Sequence, residues 1–433
     1  MSMLAIGTIG LGLTIVLMIV RVPVGIALGV VGFVGFTWIT NFDTALKMLG
    51  LAPYSAVASD SLTVIPLFIL MGQFASQAGL SRDLFAVANS FLGHRRGGLA
   101  MATVAACGGF AAICGSSLAT AATMSATALP EMRRYGYDVR LSTGSIAAGG
   151  TIGILIPPSI ILLIYGFLTE QSIGKLFLAG VVPGIVMIGL FMLTIQIVVA
   201  LKPSLAPRAE RAGLKSSLSE LAKIADVAVL FIIVIGGMYV GIFTATEGAA
   251  VGAAGAFGAA VLRRRMSLEA FVSSLIETAK LSAMIFAILL GAIILGYFLT
   301  VTQMPSLLAQ FITDLKAPPF AIMGAIIVSY LIMGALMDEM AMILLTVPIF
   351  YPVSQALGFD PIWFGVIIVI VCQAGMIAPP VGINVFLLAG MNPDIPLASI
   401  YRGILPFLAA MVVLLGLLMV FPDIALWLPR TMK

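Results

Sequence analysis

Long apolar blocks, and not an alternation of apolar and polar positions, dominate this chain. Many of them are about 17 to 25 residues long, the length that an α-helix needs to cross a hydrocarbon layer of about 30 Å. They predict spanning helices at 3–20, 24–39, 62–79, 141–168, 175–200, 226–243, 248–262, 280–300, 361–390 and 402–428. The pattern therefore predicts an all-α polytopic membrane protein.

Two further apolar blocks, at 97–132 and 318–353, do not fit one span per block. Two full crossings need about 40 apolar residues plus a turn, which is more than either block supplies. Basic residues flank the first block at 95–96 and at 133–140, so the positive-inside rule places both of its ends in the cytoplasm. From 317 to 401 there is no Lys or Arg, which favours the opposite face for the second block. We therefore predict two re-entrant helical hairpins that open to opposite sides.

Matching landmarks follow the two hairpins. The Pro-Pro pair at 157–158 recurs at 379–380, and the Gly-aromatic-Asp run at 136–138 recurs at 358–360. Because the copies begin on opposite faces, an axis in the membrane plane relates them, and inverted repeats with interrupted helices are typical of secondary transporters. The predicted fold is an inverted-repeat secondary transporter with two re-entrant hairpins and two broken helices.

The repeats divide the chain into four predicted parts, in which each hairpin precedes a broken helix and a long helix. The parts are scaffold helices at 1–80; a first repeat at 81–200, with an arm, the cytoplasmic-side hairpin 97–132, a broken helix 141–168 and a helix 175–200; a cytoplasmic loop and scaffold helices at 201–265; and a second repeat at 266–428, with an arm, the outer-side hairpin 318–353, a broken helix 361–390 and a final helix 402–428.

Composition supports a membrane protein and disfavours other classes. Of the 433 residues, 61% are hydrophobic and 9% are charged, against about a quarter charged in soluble domains. The net charge of +4 comes from Lys and Arg scattered between apolar blocks, so no basic stripe favours a nucleic-acid partner. The three cysteines lie inside apolar segments and are expected to be packing residues. The lipid bilayer is the expected environment.

Two proline pairs are expected to interrupt helices. Each proline removes a backbone donor and clashes with the preceding turn, so Gly153–Pro158 and Gly375–Pro380 should each split a helix into halves. A break frees backbone carbonyls, which suit a cation, and presents a helix N-terminus, which suits an anion. A plain proline kink is the alternative for one motif alone, but its recurrence after each hairpin favours a functional break.

The midpoints of the hairpins supply hard oxygen ligands. Ser116 and Ser117 align with Asp338 and Glu339. Hydroxyls, carboxylates and turn carbonyls suit Na⁺ or proton transfer, and a carboxylate at membrane depth is costly unless it meets a cation or water. Asp338 is therefore the leading candidate, with a water-exposed tip as its alternative, and Glu339 is expected to be its solvated neighbour.

The remaining candidate residues bear on whether the protein is a transporter or an enzyme. Glu247 stands at a predicted helix start after threonine, where capping competes with a functional role. An intramembrane protease needs two facing aspartates or a serine with a base, and the one histidine, His94, lies at the membrane edge. The predicted core has no Lys or Arg, so an anionic substrate would need hydroxyls, amide dipoles and bound cations. This favours cation-coupled transport over an enzyme, with a passive channel as a further alternative.

Five stretches together resemble one family. They are GSSLATAATMSATALPEM, GGTIGILIPPSIILLIYG, SIGKLFLAGVVPG, TATEGAAVGA and GMIAPPVGIN. In this order, and over nearly the whole chain, they resemble the large membrane subunit of tripartite ATP-independent periplasmic (TRAP) transporters. The resemblance is specific for the family and says little about the substrate.

This resemblance implies Na⁺-coupled import of an organic acid anion, such as a C4-dicarboxylate or sialic acid, across the bacterial inner membrane by an elevator mechanism. It implies two partners, a separate small four-helix membrane subunit and a periplasmic substrate-binding protein. The coupling ion would be Na⁺, with no organic cofactor. A one-component Na⁺/dicarboxylate symporter with a similar hairpin fold is the alternative.

The resemblance also implies where ligands bind. In the family, Na⁺ lies between each hairpin tip and the helix break that follows it. The first site maps onto Gly115, Ser116, Ser117, Gly153 and Pro157, and the second onto Met337, Asp338, Met340, Gly375 and Pro379. Substrate contacts are expected at Ser116, Ser117, Pro158, Asp338, Glu339, Pro380 and Asn384.

Overall fold

The structure is a computed structural model that describes residues 2–207, 220–335 and 337–432, and within these ranges the regular secondary structure is helical. The α-helices are α1 (Met3–Ile19), α2 (Val24–Ile39), α3 (Phe42–Val57), α4 (Val64–Gln77), α5 (Leu80–Leu92), α6 (Gly98–Cys114), α7 (Ser117–Arg134), α8 (Val139–Thr151), α9 (Ile160–Thr169), α10 (Ile173–Leu201), α11 (Ala225–Tyr239), α12 (Ala245–Leu262), α13 (Leu268–Val301), α14 (Met304–Asp314), α15 (Pro319–Gly334), α16 (Glu339–Ala356), α17 (Pro361–Ile377), α18 (Ile383–Met391), α19 (Leu397–Val420) and α20 (Asp423–Arg430). The all-α prediction is confirmed. Within the predicted cytoplasmic loop, 208–219 lies outside the described residues.

Several helices match the dimensions of a bilayer. By length and composition, five helices in the described part of the chain can cross a membrane, namely α10, α12, α13, α16 and α19. Helices α4 and α5 together would make a sixth span, bent by 64° at their junction. Shorter apolar helices, α1 and α2 among them, accompany these spans. The chain is a multi-pass membrane protein.

The internal repeat is visible in the helix boundaries. Helix α7 begins after the N-cap Ser116, and α16 begins after the N-cap Asp338 at the corresponding position. Helices α8 and α17 begin after N-caps Asp138 and Asp360, whose carboxylates accept backbone N–H groups. Both Pro-Pro bonds, at 157–158 and 379–380, are cis. Each half therefore has two helices joined by a tip, then a broken helix, then a long helix. Whether the tips re-enter a membrane stays a prediction.

Two polar contacts mark the two ends of the helix bundle. At one end, the Arg133 guanidinium lies 2.9 Å from the Asp394 carboxylate. At the opposite end, the Tyr239 hydroxyl lies 3.3 Å from the Thr431 hydroxyl. We call the first end the basic end, and its residues include Arg133, Arg140, Lys202 and Arg402. The positive-inside rule predicts that the basic end faces the cytoplasm.

Several predicted boundaries are wrong. The helix predicted at 280–300 begins at Leu268, because Ser267 caps it and its first turns carry charged residues that a hydropathy window excludes. The final helix predicted at 402–428 ends at Val420, since Phe421 precedes Pro422 and residues before proline disfavour helical backbone. The helix predicted at 226–243 ends at Tyr239, before Gly241 with φ +77°. Helices α3, α5 and α14 lie outside the predicted spans because they are short and carry polar residues.

Small residues allow close packing of the long helices. A Cβ atom added at Gly144 on α8 would lie 2.3 Å from the carbonyl oxygen of Gly403 on α19, and one at Gly291 on α13 would lie 2.2 Å from the carbonyl oxygen of Gly25 on α2. Such contacts let backbones approach, as in other membrane helix pairs. Helix α13 therefore packs along α2, and the broken helix of the first repeat packs against the last long helix of the second.

Candidate functional site

The tip of the first hairpin is a tight turn between α6 and α7. Gly115 adopts φ +60°, a left-handed conformation that glycine allows at little cost. Ser116 then caps α7, and its Oγ accepts from the backbone N–H of Ala119 at 3.3 Å. The Thr120 hydroxyl donates to the Ser116 carbonyl at 2.8 Å. The tip therefore presents backbone and hydroxyl oxygens at the start of a helix.

The first helix break lies directly against this tip. Helix α8 ends at Thr151, and after a short 3₁₀ turn α9 begins at Ile160 with Ser159 as its cap. A Cβ atom at Gly153 would lie 2.9 Å from the Ser116 carbonyl oxygen. A Cβ atom at Gly115 would lie 2.5 Å from the Pro158 carbonyl oxygen. The structure thus brings the first tip and the first break into backbone contact, and Pro157 lies within that break.

The tip of the second hairpin carries two carboxylates that differ in environment. Asp338 caps α16, and its Oδ2 accepts from the backbone N–H of Met340 at 3.1 Å. Glu339 is only 7% exposed, and its Oε2 accepts from Nε2 of Gln373 on α17 at 2.5 Å. The expectation that Glu339 is the solvated neighbour is therefore wrong. The first residue of α16 points toward the broken helix, where a buried amide donates to it.

The second helix break contacts the end of α15, beside the second tip, and the distant helix α19. A Cβ atom at Gly375 would lie 2.6 Å from the Cα atom of Gly334, at the end of α15. The Tyr401 hydroxyl on α19 lies 2.7 Å from the Pro380 carbonyl and 2.6 Å from the Val381 carbonyl. The Tyr401 hydroxyl therefore already donates a hydrogen bond to the Pro380 carbonyl. From the sequence, the break is expected to free backbone carbonyls, and Pro380 is expected to contact the substrate. Pro379 lies between α17 and α18, within the same break.

Ser117 and Asn384 join the two repeats. The Asn384 Nδ2 group, on α18, donates to the Ser117 Oγ at 2.8 Å, and both residues are fully buried. About two helix turns further along, Asn392 Nδ2 donates to Ser125 Oγ at 3.2 Å. The broken helix of the second repeat thus contacts the hairpin tip of the first repeat. The sequence gives no signal for this pairing, because it depends on how the halves pack.

Two buried amide oxygens lack a hydrogen-bond donor among the described residues. They are Oδ1 of Asn384 and Oε1 of Gln373. Each belongs to a side chain that donates to a hairpin tip, Asn384 to Ser117 and Gln373 to Glu339. Buried polar atoms in proteins nearly always have partners, so an unpartnered one requires an explanation. Amide carbonyl oxygens are also ligands for hard cations.

One cavity of about 390 Å³ brings both tips together. Ser116, Ala119 and Thr123 line it from the first hairpin, and residues 338–340 line it from the second. The opposite wall comes from α4 and α13 and includes Gln73 and Ser76, Leu281 and Ile285. Of the described residues that line it, none is Lys or Arg. Sequence reasoning missed Gln73 and Ser76, although two polar residues inside an apolar predicted span are a signal.

Some predicted residues lie away from this cavity. Glu247 forms a capping box with Thr244, whose N–H and hydroxyl both lie 2.8 Å from the Glu247 Oε2. It is not among the residues that line the cavity, so its helix-capping role explains it. Pro158 contacts a different small cavity beside Met71 and Ile113. Met337 lies in the second tip, next to Asp338, but outside the cavity lining.

Comparisons with known proteins agree on one family. A family model described as "Tripartite ATP-independent periplasmic transporter, DctM component" matches residues 11–424. The C4-dicarboxylate TRAP transporter large permease protein DctM of Pseudomonas aeruginosa is 38% identical, over 89% of this chain and 90% of the relative. The sialic acid TRAP transporter large permease protein SiaM of Vibrio cholerae is 32% identical, over 96% of each chain.

A solved structure shares the fold. The YdaH transporter of Alcanivorax borkumensis superposes with a TM-score of 0.64 at 15% sequence identity, over 88% of this chain and 89% of that one. At this level of identity the likeness concerns the fold alone. It agrees with the all-helical architecture described above.

Proposed function

Since this chain belongs to the family of DctM components of tripartite ATP-independent periplasmic transporters, we propose that it imports an organic acid anion together with Na⁺ across the bacterial inner membrane. Its relatives are named transporter permeases, so the chain is a membrane transport component and not an enzyme. The resemblance found in the sequence is confirmed. The coupling ion, the direction and the mechanism are the proposed part.

One observation carries the proposal most strongly. Each hairpin tip receives a hydrogen bond from a buried amide, and each of these amides leaves its carbonyl oxygen without a donor among the described residues. A Na⁺ ion coordinated by oxygens would satisfy Asn384 Oδ1 near Ser116 and Ser117, and a second would satisfy Gln373 Oε1 near Glu339. The buried carboxyl group of Glu339 also requires a cation or a proton.

The substrate class follows from the cavity and from the relatives. The relatives are named for C4-dicarboxylate and sialic acid, both of which are carboxylates. The cavity lining offers helix N-termini at Ser116 and Asp338, hydroxyls and the Gln73 amide. A helix N-terminus attracts anions, and bound Na⁺ would offset the charge of Asp338. We therefore assign a carboxylate substrate to this cavity, and its binding would depend on Na⁺.

An elevator motion fits the two walls of the cavity. The tips belong to the predicted repeats, whereas α4 lies in the predicted scaffold and α13 in the arm of the second repeat. If the two hairpins and the two broken helices move as one body against α4 and α13, the substrate stays on the tips and only the opposite wall changes. Contacts between the repeats, such as Asn384 with Ser117, would move with the substrate.

Two partners complete the proposed transporter. A periplasmic binding protein would deliver the substrate, and a small membrane subunit would stay with the scaffold. The described residues that line the cavity include no Lys or Arg that could recognise a carboxylate. Selection among organic acids therefore falls to the binding protein, which also explains how relatives with different named substrates can share this core.

Reconstitution tests the proposal. The chain and its small subunit are placed in proteoliposomes, and uptake of labelled succinate and of sialic acid is measured with the cognate binding protein under an inward Na⁺ or K⁺ gradient. We expect uptake only with the Na⁺ gradient and only with the binding protein. Uptake without the binding protein would favour a one-component symporter, and flux that follows the substrate gradient alone would favour a channel.

A further inference from the structure

A second cavity lies at the basic end of the bundle, away from both hairpin tips. It has a volume of about 270 Å³ and lies where α8, α10 and α19 meet. Three cationic side chains line it, Arg140 on α8, Lys202 directly after α10 and Arg402 on α19. It is separate from the transport site, because the two cavities share no lining residue.

The three cations are exposed, and no ion pair to any of them exists within the described residues. The Asp138 carboxylate near Arg140 is engaged as a helix cap and accepts from the Arg140 backbone N–H at 2.8 Å. The cavity is therefore a concentration of positive charge with no opposing carboxylate in its lining. Arginine and lysine both bind phosphate, so three such groups around one cavity suit an anion with several oxygens.

The remaining wall of this cavity is hydrocarbon. Leu141, Val198, Leu205 and Phe407 line it, and Leu201 also lines it while 77% of its own surface stays exposed. Leu201 is the last residue of the spanning helix α10, and its exposed apolar surface suits an acyl chain. A small free anion gains nothing from an apolar wall, whereas an acyl chain that fills a groove between helices gains van der Waals contacts with it.

We propose that this cavity binds one anionic phospholipid, with its phosphate on Arg140, Lys202 and Arg402 and an acyl chain along Leu201 and Val198. Basic pockets between membrane helices on the cytoplasmic side are known to suit such headgroups. The lipid would contact the broken helix of the first repeat and the long helices of both repeats. It would thus stabilise the contact between α8 and α19, which already meet at Gly144 and Gly403.

Lipid binding is measured on the intact complex in a neutral detergent. The midpoint of thermal unfolding is recorded with dioleoyl phosphatidylglycerol, with dioleoyl phosphatidylcholine, and with glycerol 3-phosphate, which has the phosphate but no acyl chain. The test variant is the triple substitution Arg140→Gln, Lys202→Gln and Arg402→Gln. The matched control removes three exposed basic residues outside the cavity, by Arg95→Gln, Arg96→Gln and Arg134→Gln.

The proposal expects phosphatidylglycerol to raise the midpoint in the wild type and in the control, and the test variant to lose most of that rise. Native mass spectrometry should show at least tenfold weaker retention of phosphatidylglycerol by the test variant. If the triple variant does not fold, Lys202→Gln alone is compared with Arg134→Gln in the same spectra. An equal rise with glycerol 3-phosphate would indicate a free-anion site, and an equal rise with phosphatidylcholine, or one retained by the test variant, would overturn the proposal.

Discussion

Glu339 and Gln373 form the buried polar pair on which the account of the second ion site depends. The carboxylate and the amide are hydrogen bonded, and each has less than a tenth of its surface exposed. A carboxylate without a cation is costly at membrane depth. Glu339 thus gives the most direct residue-level test of Na⁺ binding.

Substitution of Glu339 by Gln keeps the size of the side chain and removes its charge. We expect the Na⁺ concentration for half-maximal uptake to rise by at least about tenfold, because an ionised ligand binds a cation much more strongly than a neutral amide does. The matched control is Glu247→Gln, since glutamine also completes a capping box and Glu247 does not line the cavity. Equal Na⁺ dependence in both variants would remove Glu339 from the ion site.

Gln73 tests the opposite wall of the cavity. Its amide faces the two tips from α4, so Gln73→Leu should raise the substrate concentration for half-maximal uptake several-fold without loss of folded protein. Gln77→Leu, at the exposed end of the same helix and outside the cavity lining, is the control. The substrate concentration for half-maximal uptake is measured in both variants at saturating Na⁺. Equal values in the two variants would show that the substrate does not bind beside Gln73.

Residue-level prediction from the sequence was partly successful. The alignment of Ser116 with Asp338 placed both residues at the turns between paired helices, and the structure has each of them as the N-cap of the helix that follows. The expectation that Glu339 is the solvated residue of the pair and Asp338 the more enclosed one was wrong. Which of two adjacent side chains points inward depends on Gln373, a residue 34 positions away that only the fold brings near.

At the scale of helices, the contact between α8 and α19 joins the two repeats. Gly144→Ala should lower the free energy of unfolding by about 1–3 kcal/mol, since the new Cβ would lie 2.3 Å from a backbone oxygen that cannot move independently. The control, Gly416→Ala on the partner helix α19, has nothing within 4 Å of its Cβ position and should be neutral or slightly stabilising. Thermal unfolding in detergent compares them, and equal stability would contradict the close contact.

Helix prediction succeeded where the length of an apolar block is enough to identify a helix, and it failed where a helix is short or carries charged residues. Helices α2 and α10 follow directly from long apolar blocks. Helix α5 carries Arg82 and Asp83 in its first turns and packs by one apolar face, so a span-length criterion passes over it. The proline pairs predicted both helix breaks, because the loss of a backbone donor is a local effect.

At the scale of the whole molecule, the repeated landmarks predicted two similar halves, but not how the halves meet. The bond from Asn384 to Ser117 crosses between repeats, and the cavity between both tips and α4 is equally non-local. The central claim is that this shared cavity couples substrate movement to Na⁺. It requires that the ion and the substrate cross the membrane together.

The most direct measurement is simultaneous uptake of ²²Na⁺ and labelled substrate by proteoliposomes that contain the chain and its small subunit, with the binding protein outside. We predict that substrate entry drives ²²Na⁺ entry in a fixed ratio, and that Glu339→Gln lowers both together while Glu247→Gln lowers neither. Substrate entry without any accompanying ²²Na⁺, or equal entry in all three proteins, would contradict the account.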